Sequence, residues 1–272
     1  MTSPRSAPRS TRRRWITDLR RGRPDVGTID LMADDLEQRQ PAALIINRGR
    51  ALVVAFVALL VTVALGLRYA GDSQAAWLDR VALSLSREWF PVPRGLAIAV
   101  ISVYDPIPLA IVIAVLAGVC VAVGRRRVAV LMVAGPVLTG VATTIAKPLI
   151  DRTKNGDLSY PSGHMGSAVA VAVVVALLLI SLFGARRWVT ALAVAVPILS
   201  GAVIGLAMTV TNYHYWTDAV GGFCVAVAVV LSMAVLIDSW PSRESGTGRL
   251  PGWGGRVGVL GRSNLGRDAP TT

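Results

Sequence analysis

Long apolar runs alternate with short polar joints through the middle of the chain, and the joints are too brief to be domains of their own. A helix that crosses the hydrocarbon core of a bilayer needs about 20 mostly apolar residues. Six stretches meet that length, at roughly 50–69, 106–124, 128–146, 165–184, 188–209 and 219–237. The second can begin as early as Gly95, in which case the "DPIP" at 105–108 breaks the span with prolines. Between the first two spans Trp77, Val81, Leu85 and Trp89 recur every four residues, while Asp79, Arg80, Ser86, Arg87 and Glu88 fall between them. That period predicts an amphipathic helix, lying in the headgroup layer or packed across the span ends. Gly201 and Gly205 form a small-xxx-small pair that predicts a helix-packing surface in the fifth span.

The pattern predicts an all-α integral membrane protein, a six-helix bundle with short loops at one face. The bundle occupies 50–238, and the flanking segments, 1–49 and 239–272, are polar and rich in Arg, Pro and Gly, which reads as disordered tails. The arginines of "STRRRWITDL" stand far from the first apolar run, so the segment reads as tail rather than export signal. With 53% hydrophobic residues in 272, the composition agrees with a membrane protein.

Charge then sets the topology. Six spans place both tails and the turns "GRRR" (124–127) and "GARR" (184–187) on one side, which carries 21 basic and nine acidic residues, the whole net charge of +12. The other side has seven of each. By the positive-inside rule the basic face is cytoplasmic, which predicts a cell (inner) membrane protein with both termini inside. Because topology accounts for the charge, no nucleic-acid partner is implied.

The outer ends of the spans collect what the lipid does not require. Both histidines, His164 and His214, lie there, and so do both lysines, Lys147 and Lys154, in a chain where the other 26 basic residues are Arg. Each residue alone is an ordinary interfacial group. Their concentration on one face, with Asp218, marks a site. Ser162 and Gly163 stand where the fourth span begins, and helix N-termini bind anions. Lys147, Arg152 and Lys154 supply cations for phosphoryl oxygens. His214 and Asp218 are four residues apart, so a helical turn brings carboxylate to imidazole. A second histidine can donate a proton to a leaving group. Together these groups amount to phosphoryl transfer through a phosphohistidine, with no cofactor and no metal. Cys120 and Cys224 sit inside apolar runs and point to neither zinc nor a disulfide.

These residues resemble the type 2 phosphatidic acid phosphatase superfamily, the lipid phosphate phosphatases, in its bacterial membrane branch. The family signature reads Lys-x6-Arg-Pro, Pro-Ser-Gly-His and Ser-Arg-x5-His-x3-Asp. The second part is complete as Pro161-Ser162-Gly163-His164, and the end of the third as His214-Tyr215-Trp216-Thr217-Asp218. The resemblance covers about 50–237. It implies His214 as nucleophile, Asp218 as its orienting partner, His164 as general acid, and Lys147, Ser162 and Gly163 as ligands of the phosphoryl oxygens. Two positions depart from it: Lys154-Asn155 replaces Arg-Pro, with Arg152 two residues early, and Ala207-Met208 replaces Ser-Arg.

The expected function is a membrane phosphatase acting on a lipid phosphate or diphosphate, polyprenyl or glycerolipid, at the outer face among membrane lipids. The arginine-rich, lysine-poor composition is that of a GC-rich bacterium and favours a polyprenyl substrate. The alternative is a non-catalytic relative that binds anionic lipid headgroups, to which the missing arginine at 208 points. A transporter is disfavoured by the near absence of charge within the spans. The six spans argue against the superfamily's soluble haloperoxidases.

Overall fold

A computed structural model describes residues 44–239; both proposed tails lie almost wholly outside the described residues. Eight α-helices and one small hairpin make up the described part: α1 (Arg48–Arg68), α2 (Trp77–Trp89), α3 (Arg94–Ser102), α4 (Pro106–Ala122), α5 (Arg126–Ile150), β1 (Thr153–Lys154), β2 (Asp157–Leu158), α6 (Gly163–Phe183), α7 (Arg187–Thr211) and α8 (Trp216–Ser239). Five of these helices are long and apolar enough to cross a membrane, and α3 with α4, bent by 58° at a short break, makes a sixth if the pair is counted as one span. The break falls at Asp105–Pro106, where Pro106 and Pro108 have no amide hydrogen for a continuing helix.

The most buried span is α6, which packs against α5, α7 and α8. Its Ala/Val composition lets neighbours approach on several sides, and residues from Met165 to Val174 are buried without interruption. The glycine pair of α7 is a packing surface. A Cβ on Gly205 would lie 2.7 Å from the Trp216 ring, and one on Gly201 would lie 2.8 Å from Phe223. At the end of the bundle remote from the histidines, the buried Asp238 carboxylate accepts from the Leu44 and Ile45 amides at 2.9 Å. It also faces Arg127 at 3.7 Å. These contacts fasten the start of α1 to the end of α8.

Helix α2 lies across the opposite end against α7 and α8. Trp77 and Trp89 remain exposed, as an interfacial helix requires, yet Asp79 and Ser86 face inward. The polar residue Asp79 is only 4% exposed because it has partners beneath the helix, described below.

Candidate active site

The site is built from the segment joining α5 to α6 and the segment joining α7 to α8. After Ile150, Asp151 turns the chain with a left-handed conformation, φ 55°. The hairpin that follows pairs Thr153 with Leu158 and Lys154 with Asp157. Its two-residue loop is Asn155-Gly156, both at positive φ, the residue types that such a turn demands. Tyr160 then donates its hydroxyl to the Thr62 carbonyl of α1 at 2.6 Å, and the Ser162 amide donates to the Asp218 carbonyl at 3.1 Å. This close approach requires glycine on α8, since a Cβ on Gly222 would collide with the Ser162 carbonyl and one on Gly221 with the Tyr160 ring.

A polar cavity of about 440 Å³ opens beside the hairpin, lined by Lys147, Lys154, His214, Arg94, Asp157 and Tyr213 among others. His214 Nδ1 faces Asp218 Oδ2 at 3.6 Å, an ion-pair distance just beyond a hydrogen bond, and the same carboxylate oxygen accepts from the Tyr215 amide at 3.0 Å. With Nδ1 facing the carboxylate, Nε2 is the nitrogen left for chemistry. Burial pushes the His214 pKa below its ordinary value, against the pull of Asp218, and Lys147 and His164 push it further down. A neutral imidazole has the free lone pair that a nucleophile needs. The Lys154 ammonium lies 4.3 Å from the centre of the Tyr215 ring. Its pKa is lowered by burial, while Asp218 and Asp79 act to raise it.

His164, in the first turn of α6, pairs through Nε2 with Asp105 Oδ1 at 2.9 Å. Asp105 stands at the break between α3 and α4, so the bent span delivers an acid to the second histidine. Ser162 caps α6, accepting from the Met165 amide at 3.4 Å, and its hydroxyl donates to Met208 Sδ at 3.5 Å. Thus the side chain standing in the family's arginine position is itself buried, and it takes up the serine hydroxyl. Ser162 and Gly163 do not line the polar cavity, whereas Lys147, Lys154 and His214 do.

Arg152 corrects the sequence expectation. Its guanidinium was expected in the anion cradle, but the side chain is fully buried and absent from the cavity wall. Nη1 donates to Asp218 Oδ1 at 2.7 Å and to Thr217 Oγ1 at 2.6 Å, while Nη2 donates to Asp79 Oδ2 at 2.9 Å. The Tyr69 and Tyr215 rings cover it with centroids at 4.3 and 4.6 Å. Nη1 and Nη2 are thus both engaged and, although Nε has no partner among the described residues, the side chain is buried away from the cavity.

Residues 139–241 match the family model of the PAP2 superfamily. The chain carries a PAP2 domain. The crystal structure described as the first transmembrane PAP2 type phosphatidylglycerolphosphate phosphatase from Bacillus subtilis has the same fold, with a TM-score of 0.52 at 16% identity, covering 70% of this chain and 98% of that one. No curated protein matches the sequence. At this identity the likeness shows a fold, that of a multi-pass membrane protein.

The PAP2 segment contains every site residue expected from sequence, from Lys147 to Asp218. The three polar side chains that sequence reasoning missed, Asp79, Arg94 and Asp105, all lie upstream of it. Asp105 carried a signal, an acid in a proline break, but was read only as a helix stop. Arg94 carried none beyond its place near a span end.

Proposed function

We propose that this protein is a membrane phosphoric ester hydrolase that cleaves a lipid phosphate or diphosphate through a phosphohistidine on His214. The observation that carries the reading is the polar cavity, where a buried imidazole backed by Asp218 shares a wall with Lys147, Lys154 and Arg94. His214 Nε2 attacks phosphorus as the bond to the leaving oxygen breaks, and His164, held by Asp105, gives that oxygen a proton. Water then attacks the phosphorus of the phosphohistidine with His164 as base, releasing inorganic phosphate and restoring the imidazole. Asp218 stabilises the charge that develops on the ring, and the lysines with Arg94 balance the phosphoryl oxygens. Arg94 supplies a guanidinium where Met208 does not.

A lipid substrate is supported by the setting, a cavity at the ends of membrane spans. An apolar crevice of about 670 Å³ also lies under α2, lined by Leu65, Leu78, Val81, Leu206 and Val220, with Thr217, the neighbour of Asp218, in its wall. The charge asymmetry supports an inner-membrane topology with both termini cytoplasmic and the cavity facing outward. A polyprenyl phosphate or diphosphate of the envelope is the preferred substrate class.

The test is phosphate release by the purified protein from polyprenyl diphosphate, polyprenyl monophosphate, phosphatidate and phosphatidylglycerol phosphate, with wild type and His214→Ala side by side. Release that is lost in His214→Ala supports the reading. Release at equal rates would overturn it. Binding of these lipids without turnover would favour the second reading, a non-catalytic headgroup binder, for which the buried Met208 is the motivating feature.

A further inference from the structure

Three side chains outside the proposed chemistry form one buried cluster with Asp218. We infer that Asp79 and Arg152 are positioning residues that fix the Asp218 carboxylate against His214, which makes the peripheral helix α2 part of the active-site machinery. The inference rests on the hydrolase reading for its meaning in catalysis, but not for its geometry.

The two oxygens of Asp218 have divided tasks. Oδ2 faces His214, and Oδ1 accepts from Arg152 Nη1 at 2.7 Å. Arg152 is held in turn by Asp79, whose Oδ2 accepts from Nη2 at 2.9 Å and from the Ala76 amide at 2.9 Å at the start of α2. Asp79 Oδ1 accepts from both the amide and the hydroxyl of Thr217 at 2.9 Å. Arg152, Asp79 and Asp218 are 0%, 4% and 0% exposed, so none of these bonds competes with water. The fork geometry of guanidinium suits it to bridging two carboxylates, which an ammonium on a single stem does not do.

The charge count gives Asp79 its role. One guanidinium between two carboxylates leaves the cluster with one net negative charge. Without Asp79, the whole positive charge of Arg152 would fall on Asp218 and cancel the field that His214 feels. With Asp79 in place, half the fork is occupied elsewhere, and a negative charge remains for the imidazolium and for the phosphohistidine. The other charged groups around His214 are Lys147 on α5, His164 on α6, Lys154 and Asp157 on the hairpin, and Arg94 at the start of α3. Of these, Lys154 also feels Asp79, which raises its pKa, and Arg152, which lowers it, the same senses expected for His214.

The experiment is an NMR titration of the His214 ring in the full chain in detergent micelles, run with kcat and KM on dioctanoyl phosphatidate. Asp79→Asn removes a negative charge and is expected to move the His214 midpoint down by about one pH unit. Arg152→Gln removes a positive charge and is expected to move it up by a similar amount. The double variant, with both charges gone, returns to within about 0.3 of wild type. Mere loosening of the fold would not produce shifts of opposite sign that cancel. Midpoints that move together, or not at all, would overturn the inference. In turnover, Asp79→Asn lowers kcat about tenfold with KM within about twofold. If Arg152→Gln does not fold, Arg152→Lys takes its place. It keeps the charge and loses the fork, so it should leave the midpoint nearly fixed and still lower kcat about tenfold, and wild-type kcat would overturn the inference. Because the titration needs no turnover, an inactive wild type would count against the hydrolase reading while the titration still decides this one.

Discussion

Adding one methyl group to α8 should disable the site without touching any of its reactive side chains. In Gly222→Ala the new Cβ would collide with the Ser162 carbonyl, and it would lie 3.1 Å from Met165 Cβ and 3.2 Å from the Ser162 carbonyl carbon. Ordinary carbon contacts are about 3.5–4.0 Å, so α8 and the 160–163 segment must separate by on the order of an ångström. The obstructing atoms belong to backbone and to the first atom of a side chain, so no rotamer change relieves them. Overpacking of this kind costs about 1–3 kcal/mol of stability. The separation also pulls on the bond from the Ser162 amide to the Asp218 carbonyl, 3.1 Å long, which joins the two loops carrying His164 and His214. A displacement of about 1 Å between reacting groups is enough for a loss of about 10²-fold in rate. The control is Gly140→Ala on α5, where a Cβ meets nothing within 4 Å. There the alanine should be neutral or stabilising by up to about 1 kcal/mol, through helix propensity. Thermal unfolding in detergent and phosphate release from a lipid phosphate measure both effects. If Gly222→Ala is as stable and as active as Gly140→Ala, the reasoning about how these loops dock is wrong.

Other perturbations have equally definite outcomes. Asp105→Asn should lower kcat about tenfold with little change in melting temperature, because Asp105 is half exposed and acts through His164; unchanged kcat would remove it from the mechanism. Lys147→Ala and Arg94→Ala should each reduce kcat/KM by about tenfold or more, measured at constant ionic strength, if these cations face the phosphoryl group. The limb of the pH–rate profile set by His214 should be flat at neutral pH and fall on acidification, because burial depresses the His214 pKa and keeps the ring neutral near pH 7. The same shift ties His214 to stability. Below the unfolded value of about 6.5, the unfolded chain takes up a proton that the folded one resists, so this contribution is complete above that pH and is lost as pH falls. Urea or thermal unfolding at pH 5 and pH 7.5, compared between wild type and His214→Gln, isolates it.

The spans were legible because hydrocarbon imposes length and apolarity residue by residue, and those constraints are local. Five of the six expected spans are single long helices, and the second is the bent pair α3–α4, broken at "DPIP", where prolines remove amide hydrogens. The period of α2 was equally plain, but its orientation was not. An acid three residues into an amphipathic helix ordinarily faces water, and only the fold, bringing Arg152 beneath it, turns Asp79 inward. Arg152 illustrates the converse. Its charge and its place between Lys147 and Lys154 made it look like an anion ligand, yet the left-handed turn at Asp151 and the hairpin at Asn155-Gly156 direct it into the bundle and leave Lys154 at the cavity. That "NG" is a strong hairpin signal, masked here by the attention its neighbouring charges attract. The pairing of His164 with Asp105 joins residues 59 positions apart, a separation no periodicity encodes.

The central claim is that His214 carries the phosphoryl group. Its most direct test is a rapid acid-free quench of wild type during turnover of a lipid phosphate, followed by mass spectrometry of the peptide containing residue 214. The account predicts a phosphoramidate on His214, labile to acid and stable to base, that builds up in Asp105→Asn if breakdown of the intermediate is slowed and is missing in His214→Ala. Steady release of phosphate with no adduct on His214 in either active form would contradict it.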